Sequence, residues 1–533
     1  MISYQSVKMV TPNCVLFLLM CVTLACAKML VHNQDHVAVG CSYTSYPVLC
    51  MQTIAESKVS LKEETDVLSA LVNKEIYETE LYDSSSHDLE KTNSKAQPTE
   101  TASGNYCHEL MIMSLRRLKQ AKEALKQSPK KKKQDILTWL SAALTFQETC
   151  KEDAEAGEAR PDSNFMSSST SEKMNRLIQL SSNSLAIANR IPEENSTKSG
   201  HRLSDNRIPG WLSTRERKLL QSSSVKANAI VAGDGSGNYK TISAAVQAAS
   251  GGRFVIYVKA GVYNEKVHIN KDGITLIGDG KDSTIISGSS SVAGGSSLQG
   301  SATVSITGDG FIARDIRFQN TAGPQGHQAV ALYIASDRSA LFKCSISGYQ
   351  DTLYAYALRQ FYRECDIYGT IDFIFGNAAA IFQRSNLVLR QPGRRGAYNV
   401  MLAHSRTDPG QNTGFTVQNC MIAASGYSRG SYDSYLGRPW RQYSRAVIMQ
   451  SSIDGVISPQ GWIEWEGTSG YDKTVYFAEH ANAGPGAGLS NRVKWPGFHV
   501  IERPEAMKFT VANFISGTSW LPSTGITYVS GLG

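Results

Sequence analysis

The sequence predicts two units of different class: an all-α four-helix bundle within residues 28–190 and an all-β parallel β-helix over residues 226–533. Three observations predict them. In the first part, apolar residues recur at three- and four-residue steps, as they do on one face of a helix. After Ile230 the texture turns to short β-branched runs between glycines, among them FVIYV (254–258) and GITLIG (273–278), and no long helical pattern follows Ala249. Within that second part a short segment returns about every 20–25 residues, as one strand per pass of a stacked coil would.

The chain has 533 residues, room for two to four domains at roughly 100–200 residues each. Hydrophobic residues make up 41% and charged residues 19%, too apolar for a disordered polyelectrolyte. Mean hydropathy is −0.25, and no run reaches the roughly 18 apolar residues of a membrane span. A polytopic membrane protein and a disulfide-packed miniprotein are both excluded. The net charge of +7 is concentrated after Leu220, where 27 basic residues face 21 acidic ones. Such a balance suits a polyanionic partner (nucleic acid, anionic lipid or acidic polysaccharide) and equally a merely basic soluble protein.

The N-terminal segment Cys14–Ala27 is a short apolar core preceded by Lys8 and closed by Ala25-Cys26-Ala27, the layout of a secretory signal over residues 1–27. Its removal leaves Cys41, Cys50, Cys107, Cys150, Cys344, Cys365 and Cys420. In an oxidising compartment the first four can pair, Cys41 with Cys50 across a short hairpin and Cys107 with Cys150 between two helices. Zinc is the rival reading, but no Cys-x-x-Cys occurs. The odd total leaves at least one thiol free or paired between molecules. Asn195-Ser196-Thr197 is a glycosylation acceptor sequence.

The helical periodicity runs through Leu110, Met113, Leu115 and Leu118, then Ile136, Leu137, Leu140 and Leu144, then Leu177, Leu180 and Ile187. The Lys130–Lys133 run falls between helices and reads as a solvated loop. From residue 191 to 225 periodicity stops and Ser, Asn, Arg, Pro and Gly dominate, a linker. Arg217-Lys218-Leu219-Leu220 within it is a dibasic processing point or two ordinary surface bases.

The recurrent segments of the second part are Asp315-Ile316-Arg317, Cys344-Ser345-Ile346, Cys365-Asp366-Ile367, Ser385-Asn386-Leu387, Cys420-Met421-Ile422 and Ser451-Ser452-Ile453. The tightest intervals are 21 and 20 residues. Glycine and β-branched content favours a parallel β-helix over a leucine-rich repeat, with a β-sandwich as the competing architecture. The GDGSGN turn (233–238) lacks the Lys-Ser/Thr of a phosphate loop and is expected to lead into a short helix over Ile242–Ala249.

The repeat also locates chemistry. Asp351 lies seven residues after Cys344, and Asp372 lies seven after Cys365. Equal offsets in successive coils put the two carboxylates on adjacent rungs, about 4.8 Å apart at the backbone. Two close acids in apolar surroundings cannot both ionise, which yields one protonated acid and one charged nucleophile. Gln328, 23 residues before Asp351, and Gln350 beside it supply amides for an oxyanion. Arg438 can hold one carboxylate ionised, and Trp440 offers a flat face to a sugar ring. This set points to acyl chemistry on a carbonyl next to a carbohydrate. A glycosidase also uses two carboxylates but has no use for paired glutamine amides.

The segments GVYNEKV (261–267), GHQAVAL (326–332), YQDTLY (349–354), GTIDFIFGNA (369–378), SRTDPGQNTG (405–414) and YLGRPW (435–440) resemble plant pectinesterase, over nearly all of residues 226–533. In the first half, CSYTSYPVLC (41–50), TWLSAALTFQETC (138–150) and SNSLAI (182–187) resemble the disulfide-stapled pectinesterase-inhibitor domain, and RKLL (217–220) the family's processing site. The resemblance implies a right-handed parallel β-helix that hydrolyses the C6 methyl esters of homogalacturonan without metal or cofactor. It implies a monomer, secreted to the cell wall and free of membrane once the signal is removed. Inhibitor proteins and a subtilisin-like processing protease are its expected partners, and nucleic acid is not.

Carried over residue by residue, the resemblance makes Asp372 the nucleophile and Asp351 the proton donor and later base. Gln350 stabilises the oxyanion with help from Gln328, which also contacts substrate. Arg438 orients Asp372, while Trp440, Thr303, Tyr354 and Phe375 line the sugar cleft. This chain departs from the family at Ser385, where cysteine is usual, and at Tyr333, where arginine is usual. The alternatives are a pectate lyase or polygalacturonase, whose acidic clusters the sequence lacks, and an inhibitory or wall-binding protein acting through the helical half.

Overall fold

The computed structural model describes residues 40–57, 63–92, 98–158, 168–193, 227–393 and 396–533, and the chain divides into two compact units at 195/196. The expected signal segment, Asn195 and the 217–220 site lie outside the described residues.

In the first unit, four long helices (Glu64–Thr92, Pro98–Gln127, Lys133–Glu158 and Ser168–Arg190) follow a short one, Pro47–Ser57. Each contributes a buried stripe: Leu68, Leu71 and Val72 from the first long helix, Leu118 and Ala121 from the second, Ile136, Leu140 and Leu144 from the third, Leu180 and Ile187 from the last. Leu118, Ile136, Leu140, Leu144, Leu180 and Ile187 are periodic residues of the sequence, while the stripe of the first long helix was not singled out there. At roughly 1.5–3 kcal/mol per fully buried aliphatic side chain, these stripes supply the bundle's main stabilisation. A disulfide joins Cys107 to Cys150 between two long helices. Another joins Cys41 to Cys50, though across a helical entry and not a hairpin. The Thr44 hydroxyl donates to the Cys41 carbonyl at 2.7 Å, and Pro47 then opens the short helix, a position where its missing N–H costs nothing.

In the second unit, three sheets of eleven, eight and seven strands run side by side, and every strand pairing in them is parallel. One pass of the chain contributes one strand to each. The pass Ser339–Phe342, Ser345–Ser347, Leu353–Ala355 is followed by Arg359–Arg363, Asp366–Gly369, Ile374–Gly376, each stacked on its predecessor. The repeated segments are the strands of the eight-stranded sheet. Phe318, Ile346, Ile367, Leu387, Ile422 and Ile453 stack inside it, all fully buried.

The turn into that sheet is a single left-handed residue at each pass: Asp315, Lys343, Glu364, Arg384, Asn419 and Gln450, with φ between 51° and 57°. Such a backbone costs a non-glycine residue about 1–2 kcal/mol, and here strand pairing on both sides holds it. The turn also corrects the reading of the first repeat. Ser345 pairs with Arg317 and Ile346 with Phe318, so the aligned triplet is Ile316-Arg317-Phe318, one residue later than expected. Ile316 takes the inward place that Cys344 takes on the next rung.

The short helix spans Ile242–Ala248, with the Thr241 hydroxyl accepting from the Ala244 N–H. Cys344, Cys365 and Cys420 are buried free thiols. Ser385 stands where the family's cysteine would, its hydroxyl accepting the Cys365 N–H at 3.1 Å and its own N–H donating to the Cys420 sulfur at 3.4 Å.

Candidate functional site

The seven-stranded sheet presents opposite faces by alternation. Val304, Leu332, Leu353, Ile374 and Leu402 point into the core. The other face carries Ser305, Tyr333, Tyr354, Phe375, Ala403 and Arg438 as successive rungs of one ladder. Tyr354 stacks on Phe375 with centroids 4.2 Å apart, and Tyr333 packs edge-on against Tyr354 at 5.3 Å. That aromatic row forms the floor of a cleft, a flat apolar surface.

At the edge of the floor lie the two acids. Asp351 and Asp372 each occupy the turn before a strand of this sheet, both left-handed, at φ 59° and 49°. The pairing of Leu353 with Ile374 sets them on adjacent rungs, and the Asp351 N–H donates to the Ile371 carbonyl at 3.0 Å. Arg438 grips Asp372 with two parallel bonds, Nε to Oδ1 at 2.8 Å and Nη2 to Oδ2 at 2.5 Å. It reaches there from two rungs away, past Ala403, whose small side chain leaves room.

Burial pushes the Asp351 carboxyl well above the usual carboxylate range, and the charge of Asp372 pushes the same way against a smaller pull from Arg438. Burial raises Asp372 too, but the hydrogen bonds and charge of Arg438 oppose it. The two acids share these surroundings and differ in the bidentate arginine. Asp372 is therefore the charged member and Asp351 the protonated one.

Gln328 and Gln350 come together because the Ala329 N–H donates to the Gln350 carbonyl at 3.2 Å. Among the described residues neither glutamine amide has a protein partner, so both are available to a ligand. Trp440 lies 5.9 Å from Phe375, ring centre to ring centre. Thr303 is buried in the turn before Val304–Ile306, its hydroxyl donating to the Gln319 carbonyl at 2.9 Å.

Two further residues belong to the site. Trp465 stacks on Trp440 with planes 21° apart and lies 4.1 Å from the Arg438 guanidinium. The Tyr398 hydroxyl accepts from Arg438 Nη1 at 2.9 Å. The signal for the first was the Trp462-Ile463-Glu464-Trp465 segment, whose other tryptophan is a core residue. For Tyr398 the sequence carried no signal, since it lies on a connection outside the repeat.

Residues 228–518 match the family model described as pectinesterase, and residues 36–187 match that described as plant invertase/pectin methylesterase inhibitor. The chain is 43% identical to pectinesterase 2 of Citrus sinensis, covering 94% of this chain and 96% of that one. It is also 43% identical to probable pectinesterase/pectinesterase inhibitor 17 of Arabidopsis thaliana, with 97% and 98% covered. Among solved structures, the pectin methylesterase from carrot is 50% identical with a TM-score of 0.57, covering 58% of this chain and all of that one. With the pectinesterase model spanning most of the second unit and these relatives spanning nearly the whole length, the chain belongs to the pectinesterase family.

Proposed function

We propose that the second unit hydrolyses the C6 methyl esters of homogalacturonan to pectate and methanol, with Asp372 as nucleophile and Asp351 as proton donor. The observation that carries this assignment is the bidentate Arg438 grip on Asp372, beside a second buried acid that lacks such a grip. An Asp372 oxygen attacks the ester carbonyl carbon, and the carbonyl electrons move onto oxygen, facing the amides of Gln350 and Gln328. The C–OCH₃ bond then breaks as Asp351 gives its proton to the departing methoxy oxygen. Asp351, now charged, takes a proton from water as that water attacks the acyl-enzyme carbonyl, which frees Asp372 and restores the starting state. Tyr354, Phe375, Trp440 and Trp465 seat the sugar rings.

The match of residues 36–187 to the inhibitor family supports a reading of the helical unit as an inhibitor-like pro-segment. The secretory layout of residues 1–27 and the dibasic pair at 217–218 complete it: a chain exported to the cell wall, glycosylated at Asn195 and trimmed near 217–220 by a subtilisin-like protease to a monomeric 226–533 enzyme. The test is a product assay on highly methylated pectin. Methanol without new reducing ends or unsaturated sugars is the expected result. Unsaturated products would signal a lyase, and new reducing ends without methanol a polygalacturonase.

A further inference from the structure

On the outer face of the eight-stranded sheet lies a second concavity, of about 370 Å³, within the roughly 300–1,000 Å³ range of small-molecule sites. Strand alternation puts Ser347, Tyr368, Arg390 and Ser425 on this face, because their neighbours Ile346, Ile367 and Leu389 point into the core. Tyr349, Gln391 and Arg317 complete the wall. The floor of the cleft described above belongs to a different sheet, so the two sites open from different sheets of the same coil.

The charges in this concavity are not equivalent. Arg317 is tied back, its Nε donating to the Lys281 carbonyl and its Nη2 to Asp282. Arg390 has no carboxylate partner among the described residues. Its guanidinium lies 4.0 Å from the Tyr349 ring centre, with Nη1 donating to the Gly348 carbonyl at 2.9 Å and Nη2 to the Tyr349 hydroxyl at 3.0 Å. A guanidinium has five N–H donors, so three remain for a ligand, in a planar fork that fits a carboxylate. Around that fork stand two serine hydroxyls, the Tyr368 hydroxyl and tyrosine ring faces. One fixed cation, several hydroxyl-bonding groups and an aromatic wall are what an acidic sugar requires.

We propose that this concavity is a second binding site for uronate sugars, taking a de-esterified galacturonate of the polymer with its carboxylate on Arg390. The proposal rests on the esterase reading only for the identity of the sugar. Its position couples it to catalysis: Arg390 holds Gly348 and Tyr349, and the next two residues are Gln350 and Asp351. The same protein thus grips its product through the segment that carries its acid and its oxyanion amide.

The test uses the full chain and calorimetric titration with a de-esterified galacturonate oligomer. Two binding events are expected. Trp440→Ala removes the cleft event alone. Ser425→Trp fills the concavity and weakens the other event by about ten-fold or more, as does Arg390→Gln, the loss of a charge-assisted contact. Ser425→Trp keeps its methanol release, and Arg390→Gln covers the case in which the bulkier change does not fold. In an Asp372→Asn chain, which cannot consume the ester, a fully methylated oligomer gives no second event. A single event lost in Trp440→Ala overturns the proposal. So does a second event unmoved by both pocket variants, or one that takes the methylated oligomer equally well. Absence of methanol release from the parent chain would instead strike the esterase reading and leave the binding result standing.

Discussion

Each unit of this protein buries a carboxyl group that burial pushes upward, and the two are put to different use. In the helical unit Glu75 is sealed inside the bundle, accepting from Gln147 Nε2 at 3.0 Å and from the hydroxyls of Ser181 and Ser184. Burial raises its carboxyl to about 7, and these neutral donors recover only part of the shift. In the β-helix, burial acts on Asp372 in the same direction, but two charge-assisted bonds from Arg438 oppose it. Hydroxyls and amides make a buried acid tolerable; a guanidinium fork favours its ionised form. Between Glu75 and Asp372 the difference is one of partner charge.

The sharpest way to break that comparison is to remove the charged acid itself. Asp372→Asn keeps the shape of the side chain and abolishes its nucleophilicity. Methanol release should fall roughly 10⁴-fold or more while circular dichroism stays unchanged. Retained activity would overturn the nucleophile assignment. Next in size is Arg438→Gln, which leaves Asp372 buried without its cation. Activity should fall by about 10²–10³-fold. The pH profile adds a signature. The proposed mechanism needs Asp372 ionised and Asp351 protonated, so activity should rise with pH as the first loses its proton and fall as the second does. Without Arg438 the Asp372 carboxyl rises further, and the rising limb must move to higher pH. An unmoved limb would deny Arg438 this role. Arg438→Lys should not restore the parent profile, since an ammonium cannot reproduce the two parallel bonds.

The pairing of the two buried acids Asp351 and Asp372 was legible in the sequence because parallel stacking preserves spacing. Cys344 and Cys365 begin equivalent strands, so equal offsets of seven had to bring Asp351 and Asp372 together. Between these passes no insertion intervenes, and arithmetic on the chain becomes geometry. Where connections lengthen, that arithmetic fails. Tyr398 and Trp465 reach Arg438 from segments outside the repeat, so its spacing places neither of them. The first repeat was legible only to within one residue, because Ile316 fills a place held by small residues or cysteine on later rungs. Glu75 was invisible for a different reason. A lone glutamate in a polar helical stretch reads as solvent-facing, and only the three-dimensional meeting of Gln147, Ser181 and Ser184 reveals it as core.

Glu75 supplies the third prediction, whose sign follows from linkage. Its folded-state value of about 7 lies above the ordinary 4.5, so folding favours the protonated form. That contribution is fully present below the ordinary value and is lost as pH rises through the folded one. The helical unit should thus lose about 2–4 kcal/mol between roughly pH 5 and pH 8, read from the far-ultraviolet helical signal during denaturation. Glu75→Gln, neutral at every pH, should flatten that dependence. A parent chain equally stable at both ends of the range would show that Glu75 is not buried in the unfolding unit.

The smallest effect tests the other half of the comparison, the worth of a neutral donor. The Ser181 hydroxyl lies between Glu75 and Gln147. Ser181→Ala removes one hydroxyl bond, expected to cost about 1 kcal/mol. Because hydrogen bonding to the carboxylate favours its charged form, the loss should be larger above the Glu75 midpoint than below it, and the midpoint itself should rise. Set beside Arg438→Gln, this is a graded contrast: removing a hydroxyl shifts a buried acid modestly, while removing a guanidinium disables one. An Ser181→Ala shift as large as that of Arg438→Gln would mean that neutral donors carry buried charge as well as a cation does. Glu75 and Asp372 would then be held by the same physics after all.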